Sequence, residues 1–343
     1  MRLASYQKIA VMFICLLFLT ACGTPPTPAT PALPVLSTIA QLRPYHIYVT
    51  DLGTGNLAEL GRATVNGGKS LHGIAFSPDG KRVYVGDVAT SRVVAFDVTG
   101  SSPRQVLSVT VGLSPVHFAF TQRGRYLYVT NFGSASISVI DTISDKVIAT
   151  IQTPDGPHGL IASPDGTRLY VACLNGQALA VIDTTTNTVA QTIPLPDNAH
   201  PYSVVSDKTG RYLYVTDNFV GRVLVVDTTK LQNPAQAIVG AGKAGQQPVL
   251  LAISPDGTRL YVTNSGGNLS VLDVATDSTH PALLATVAVG RSPHGVAVSP
   301  DGRYIIVANI LSGNLSVVDA ASNLVIATLP AEKYPNDVAI AAA

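Results

Sequence analysis

The sequence predicts an all-β protein: a seven-bladed β-propeller of four-stranded blades, closed by its C-terminal strand joining the N-terminal blade. The first observation is a repeated turn and strand, Ser-Pro-Asp-Gly followed by an apolar segment, best preserved at residues 254–264. Asp-Gly favours a tight turn because glycine tolerates a positive φ. The residues that follow, Leu260 to Thr263, suit a half-buried strand.

The second observation is the spacing of the copies. Their equivalent positions are Tyr48, Tyr84, Tyr128, Tyr170, Tyr214, Tyr261 and Ile306, separated by steps of 36, 44, 42, 44, 47 and 45 residues. A period of about 40–45 residues with several strands per copy is typical of a propeller blade.

The third observation concerns the two ends of the repeat region. The first copy starts at a second strand, around Tyr48, whereas residues 335–340 match a first strand and then stop. We therefore expect residues 338–340 to pair with residues 47–51, which removes free sheet edges. Six complete copies and one split copy give seven blades.

Residues 1–21 predict a lipoprotein signal peptide. Arg2 and Lys8 accompany an apolar run too short to span a membrane, and Leu19-Thr20-Ala21-Cys22-Gly23 resembles the lipobox of bacterial lipoproteins. This resemblance implies that Cys22 carries lipid, with an ordinary secretory signal or an uncleaved anchor as the alternatives. Residues 22–43 would then be a proline-rich tether and residues 44–343 the propeller.

Charge and cysteine content narrow the possible partners. The chain has 22 basic and 21 acidic residues without a basic cluster, which argues against nucleic acid as a partner. Membrane attachment is expected through the lipid on Cys22 alone. Of three cysteines, only Cys173 lies within the propeller, where we expect a small buried residue. We expect a monomer without a cofactor.

Each copy divides into four strands, here called a to d. In the sixth copy these are residues 295–298, 304–309, 314–319 and 324–328, while the split blade takes residues 56–60 as strand c. An aspartate closes strand c in six copies. We expect these side chains to form turns rather than a metal site: Asp97, Asp141, Asp183, Asp227, Asp273 and Asp319.

The motif Tyr-Val-Thr-Asn at residues 128–131 and 261–264, the second preceded by Ser-Pro-Asp-Gly, resembles the YVTN β-propeller repeat of bacterial and archaeal cell-surface proteins. Wider relatives of that family include lactonase-type propellers such as 6-phosphogluconolactonases, and the propeller parts of nitrous-oxide and haem-d1 enzymes. The resemblance covers about residues 45–343 and implies the fold. It implies little about function, because the matching residues form the scaffold.

Candidate functional residues begin the innermost strands, whose loops converge on the channel mouth. His72, His158 and His294 take one equivalent position in blades 1, 3 and 6, where we expect a wide triangle of imidazoles. His117 is offset by one residue and is expected to point elsewhere. Any small-ligand site should therefore be lined by five polar residues: His72, His158, Tyr202, His294 and Asn336. Loop structure alone is the alternative, and a metal ion on the three histidines is a further one.

Three functions remain open at this point. No Gly-x-Ser-x-Gly elbow or phosphate loop is present, so we expect a non-catalytic binding module for a protein or polysaccharide at the bacterial cell envelope, lipid-anchored at an outer-membrane, periplasmic or cell-surface location. One alternative is a lactonase-like hydrolase with its acid/base group among His158, His294 and Asp337. The other is a metal or tetrapyrrole carrier, or an accessory to a redox enzyme.

Overall fold

The computed structural model describes residue 38 and residues 40–343. The predicted signal peptide, Cys22 and most of the predicted tether lie outside the described residues. Among the described helices, none is both long and apolar enough to cross a membrane.

The described residues form 28 β-strands connected by short loops. In chain order, the strands are β1 (Tyr45–Asp51), β2 (Asn56–Glu59), β3 (Thr64–Asn66), β4 (Leu71–Phe76), β5 (Arg82–Asp87), β6 (Arg92–Asp97), β7 (Arg104–Thr110), β8 (Pro115–Thr121), β9 (Tyr126–Asn131), β10 (Ser136–Asp141), β11 (Lys146–Gln152), β12 (Pro157–Ala162), β13 (Arg168–Cys173), β14 (Ala178–Asp183), β15 (Thr188–Pro194), β16 (Pro201–Ser206), β17 (Tyr212–Asp217), β18 (Arg222–Asp227), β19 (Ile238–Lys243), β20 (Pro248–Ile253), β21 (Arg259–Asn264), β22 (Asn268–Asp273), β23 (Ala282–Ala288), β24 (Pro293–Val298), β25 (Tyr304–Asn309), β26 (Asn314–Asp319), β27 (Leu324–Pro330) and β28 (Pro335–Ala342). A short helix, α1 (Pro234–Ala237), precedes β19, and single 3-10 turns occupy Gln122–Gly124, Phe132–Ser134, Pro196–Asn198, Thr228–Lys230 and Ile310–Ser312.

These strands form seven antiparallel four-stranded sheets, which confirms the predicted propeller. Blades 1 to 6 are β4–β7, β8–β11, β12–β15, β16–β19, β20–β23 and β24–β27, and blade 7 has the order β28-β1-β2-β3. The a strands of successive blades contact one another around the ring, and β28 contacts both β24 and β4. The a strands are therefore the innermost strands, and their starting ends surround the channel mouth.

Closure of the ring occurs through β28, as the sequence predicts. Ile340 pairs with Ile47, Ala339 with Tyr48, and Val338 with Val49. Blade 7 also has a short fourth strand, β3, so its sheet is complete although strand c ends at Glu59 rather than at residue 60.

The hydrophobic core consists of clusters packed between neighbouring blades. In one cluster Tyr214 of blade 4 packs with Leu251 and Leu260 of blade 5, and all three side chains are buried. The repeated tyrosine of strand b thus packs against the next blade, and burial of each such large side chain stabilises the fold by about 1.5–3 kcal/mol.

The turns use the aspartates as predicted. In the a–b turn of blade 5, Gly257 has φ +80°, and Asp256 accepts hydrogen bonds from the Thr258 amide at 3.0 Å and from the Ser254 hydroxyl, which lowers the pKa of Asp256 to about 2. The six closing aspartates each accept a hydrogen bond from a backbone amide two or three residues later: Asp97, Asp141, Asp183, Asp227, Asp273 and Asp319.

Cys173 is fully buried within the core cluster of blades 2 and 3, which confirms the prediction of a small buried residue. Burial raises the pKa of the Cys173 thiol to about 12, so the sulfur is a neutral thiol near neutral pH.

Candidate functional site

The channel mouth brings together the side chains that begin the a strands. The ring centroid of His72 lies 5.5 Å from that of His158 and 5.4 Å from that of His294, and all three residues are buried. The expectation of a wide triangle is therefore wrong. Neighbouring a strands approach so closely that a Cβ atom on Gly295, beside His294, would lie 2.6 Å from the Cα of Asp337.

Tyr202 and Asn336, the other two predicted residues, join the same cluster. The Tyr202 ring lies 4.0 Å from that of His158, and its hydroxyl is 2.9 Å from Nε2 of His294. Asn336 donates a hydrogen bond from Nδ2 to the carbonyl of His72 at 3.1 Å. All five predicted residues therefore form one contiguous group in blades 1, 3, 4, 6 and 7.

His117 also belongs to this group, and the expectation that it points elsewhere is wrong. Its ring centroid lies 5.3 Å from that of His72 and 4.8 Å from that of His158. The prediction assumed regular alternation of side chains along β8, but the register with β9 shifts between Pro115 and Phe118. Such a bulge inserts an extra residue and re-aims the side chains beside it.

Asp337 is the carboxyl group of the channel mouth. Its Oδ2 lies 3.8 Å from Nδ1 of His117, and its Oδ1 accepts the Val338 amide at 2.9 Å. Burial raises the pKa of Asp337 to about 7, against the lowering effect of hydrogen bonds from the Val338 and Ile74 backbone. The carboxyl group therefore exists in both protonation states near neutral pH.

The three buried imidazoles and that of His117, which is partly buried, are neutral at that pH. Burial lowers the pKa of His117 to about 3 and that of His294 to about 4. Burial, with repulsion from neighbouring imidazoles, also holds the pKa values of His72 and His158 well below their usual range. Neutral imidazoles beside a carboxyl group that titrates near pH 7 are suited to proton transfer.

The tautomer of His294 follows from its two partners. Its Nδ1 lies 3.2 Å from the backbone carbonyl of Asn336, which can only accept, so the neutral ring carries its proton on Nδ1. Its Nε2 is then an acceptor, and the hydroxyl of Tyr202 donates to it. Sequence patterns did not indicate this chain of hydrogen bonds, because its members lie in three different blades.

The threonines of the repeat position the backbone of the channel mouth. Thr50 donates to the carbonyl of His72 at 2.6 Å, Thr130 to that of His158 at 2.7 Å, and Thr263 to that of His294 at 2.6 Å. Each bond crosses from strand b of one blade to strand a of the next. The threonine that follows Tyr-Val on strand b therefore positions the backbone of the channel mouth as well as linking neighbouring blades.

Three further features complete the description of the mouth and its surroundings. The Phe132 ring packs edge-on against His158, with centroids 6.0 Å apart, and was not singled out from the sequence because it lies in a loop tip. Within the described part of the chain, no group of three or more His, Cys, Asp or Glu side chains is arranged to hold a metal ion. A cavity of about 500 Å³ near Asp256 and Arg303 opens at the a–b and c–d turns, on the face opposite the mouth.

Comparison of the sequence with protein-family models identifies a matching family. A family model described as "Lactonase, 7-bladed beta-propeller" matches residues 36–325. Antigen Lp49 of Leptospira interrogans is 26% identical over 262 residues, which are 70% of this chain and 55% of Lp49. This chain thus spans about half the length of that relative.

Two solved structures share the fold. The periplasmic gluconolactonase of Pseudomonas aeruginosa superposes with a TM-score of 0.72 at 20% identity, over 87% of this chain and 99% of that one. A candidate 6-phosphogluconolactonase from Bacteroides fragilis superposes with a TM-score of 0.74 at 16% identity, over 87% and 98%. At these identities the likeness establishes the fold alone.

The family match corrects one expectation from the sequence. The main expectation, a non-catalytic binding module, is contradicted by the match to the lactonase model over residues 36–325. The lactonase-like alternative is favoured instead.

Proposed function

Because this chain belongs to the lactonase family of seven-bladed β-propellers, we propose that it hydrolyses a lactone at the channel mouth. The observation that carries this proposal is Asp337, a buried carboxyl group whose pKa is raised to about 7 among neutral imidazoles. A general base is most effective when its pKa lies near the working pH. The names of the two gluconolactonase-type structures agree with this chemistry.

The net reaction adds water across the acyl C–O bond of the ring. The Asp337 carboxylate takes a proton from the attacking water while the oxygen of that water bonds to the carbonyl carbon. The C–O bond to the ring oxygen breaks, and this oxygen takes the proton from Asp337 and leaves as the hydroxyl group of a hydroxy acid. The Val338 amide, which donates to Oδ1 at 2.9 Å, orients the Asp337 carboxylate.

The direct test is Asp337→Asn in the full-length protein, assayed on dihydrocoumarin, δ-valerolactone and D-glucono-1,5-lactone. Loss of a general base typically lowers kcat by 10²–10⁴-fold, so we expect at least a ~100-fold decrease. Asp277→Asn, at an exposed aspartate on the c–d loop of blade 5, is the matched control and should leave kcat unchanged. Equal activity of Asp337→Asn and wild type, or no lactone hydrolysis by the wild type, would overturn the proposal.

We also propose that Cys22 anchors the protein by lipid at a bacterial envelope and that the repeat is of YVTN type. The lipobox-like segment and the proline-rich residues 24–35 support the anchor, while the repeated Tyr-Val-Thr-Asn motif supports the repeat type. Detergent partitioning of wild type and Cys22→Ser tests the anchor. The wild type should enter the detergent phase and the variant should stay aqueous, whereas an aqueous wild type would contradict lipidation.

A further inference from the structure

A hydrogen-bonded chain of three groups crosses the channel mouth. The hydroxyl of Tyr202 in blade 4 donates to Nε2 of His294 in blade 6 at 2.9 Å, and Nδ1 of His294 donates to the carbonyl of Asn336 in blade 7 at 3.2 Å. The side chains of Tyr202 and His294 are both buried, and the backbone of His294 is held in turn by Thr263.

This chain has the form of an activated nucleophile. A hydroxyl group bonded to a base, with the base oriented by a third group, is the arrangement by which enzymes activate weak nucleophiles for covalent catalysis. The Asn336 carbonyl fixes His294 in the tautomer that can accept the Tyr202 proton, and it would stabilise the imidazolium that forms. Burial keeps the ring of His294 neutral near neutral pH, so Nε2 accepts the hydrogen bond from the Tyr202 hydroxyl before the reaction begins.

We propose that Tyr202 is a covalent nucleophile and that hydrolysis passes through an acyl-tyrosine ester. This inference rests on the proposed lactonase function and replaces direct attack of water on the lactone with two steps, in which water attacks only the tyrosine ester. The Tyr202 oxygen bonds to the lactone carbonyl carbon while its proton moves to Nε2 of His294. The bond from the carbonyl carbon to the ring oxygen then breaks, and the ring oxygen takes the proton from His294.

The second half of the reaction uses Asp337. Water attacks the acyl-tyrosine carbonyl, and Asp337 takes the proton of that water. The C–O bond to Tyr202 breaks, the phenolate oxygen regains a proton from Asp337, and the hydroxy acid is released. An aryl ester is a reactive ester because a phenolate leaves more readily than an alkoxide, so the intermediate is suited to rapid turnover. His294 therefore acts as the acid/base group in acylation, and Asp337 acts as the acid/base group in deacylation.

The separation of steps gives a specific experiment. In full-length Asp337→Asn, acylation is retained and deacylation is slowed, so dihydrocoumarin should acylate about one site per chain. We expect an increase in intact mass equal to that of the whole lactone, located by peptide mapping on Tyr202, and absent from the Tyr202→Phe/Asp337→Asn double variant. Tyr126→Phe/Asp337→Asn is the matched control, since Tyr126 lies half-buried on β9, and it should keep the adduct.

Tyr202→Phe alone should lower kcat at least ~100-fold while the protein stays folded, with a small fall in melting temperature from the lost hydrogen bond to His294. His294→Gln should slow formation of the adduct in the Asp337→Asn background. Lactone hydrolysis by the wild type with no adduct in Asp337→Asn, or full activity of Tyr202→Phe, would overturn the covalent step and leave direct attack by water. Absence of lactone hydrolysis in the wild type would overturn the proposed function and this inference together.

Discussion

Thr263 holds His294 from the neighbouring blade: its Oγ1 lies 2.6 Å from the His294 carbonyl oxygen, across the boundary between blades 5 and 6. Thr216 makes the equivalent hydrogen bond between blades 4 and 5, at 2.9 Å to the carbonyl of Val249. The side chain of Val249 is apolar. One repeated threonine therefore supports a site residue in one place and a residue without acid/base chemistry in another.

Substituting these two threonines should affect stability alike but activity differently. Thr263→Val and Thr216→Val should each lose at least about 1 kcal/mol, because each hydroxyl bonds the next blade as well as strand a of its own blade, and Thr216 also accepts the Ser203 amide. Only Thr263→Val should also lower kcat, because the ring of His294 loses its fixed position relative to Tyr202. Chemical denaturation and lactonase assays on both variants check this. Equal kcat in the two variants would show that the bond is purely structural.

Activity should depend on the ionisation of Asp337. A general base must be deprotonated, and the pKa of Asp337 is about 7, so kcat/KM should rise with pH and level off above about pH 8. The four histidines contribute no inflection there because their pKa values are all lowered by burial. A pH profile of wild type measures this. An inflection near pH 4 with a flat region through pH 7 would contradict the assignment of Asp337 as the base.

Asp337 should lower stability at the pH where it works. Its pKa is raised from 3.8 to about 7 on folding, so the folded state binds a proton that the unfolded state has lost. Stability from this group is present below about pH 4 and is lost as the pH rises to about 7, by about 1.4 kcal/mol per pH unit. Asp337→Asn should therefore be more stable than wild type at pH 8, with little difference at pH 4.

Comparing wild type with Asp337→Asn separates the contribution of Asp337 to the pH dependence of stability from that of the histidines. The buried histidines act in the opposite direction, since their lowered pKa values make stability rise between about pH 4 and 6.5, and they are present in both proteins. The measurement is the difference in unfolding free energy between wild type and Asp337→Asn at several pH values. A difference that does not change with pH would show that the pKa of Asp337 is ordinary.

The blades could be predicted from the sequence because their strands and turns repeat. The contacts at the channel mouth could be predicted only in part, because they do not repeat. The positions of Tyr261, Gly257 and Asp273 recur with one period, so each copy supports the assignment of the others. His117 was misplaced because strand alternation fails at a bulge, which depends on pairing with β9. The repeat placed Tyr202 and His294 at the same mouth, but their hydrogen bond joins residues 92 positions apart and depends on side-chain geometry that a strand pattern does not specify.

The closing strand should couple folding to the site. β28 supplies Asn336 and Asp337 and also pairs with β1, where Val338 lies opposite Val49 in the core between blades 6 and 7. Deleting residues 335–343 should therefore expose an edge of β1, lower the melting temperature and promote aggregation, because blade 7 loses its innermost strand. Differential scanning calorimetry and light scattering measure both effects.

A milder variant separates the two roles of this strand. Val338→Ala removes two methyl groups from a buried side chain and keeps Asp337, so it should cost roughly 2 kcal/mol while kcat at 25 °C stays near that of wild type. With the ring weakened only at its closure, heat inactivation of Val338→Ala should begin at a lower temperature than that of wild type. Deletion of residues 335–343 with unchanged melting and solubility would contradict closure by β28, since the same strand would then contribute nothing to the stability of the ring.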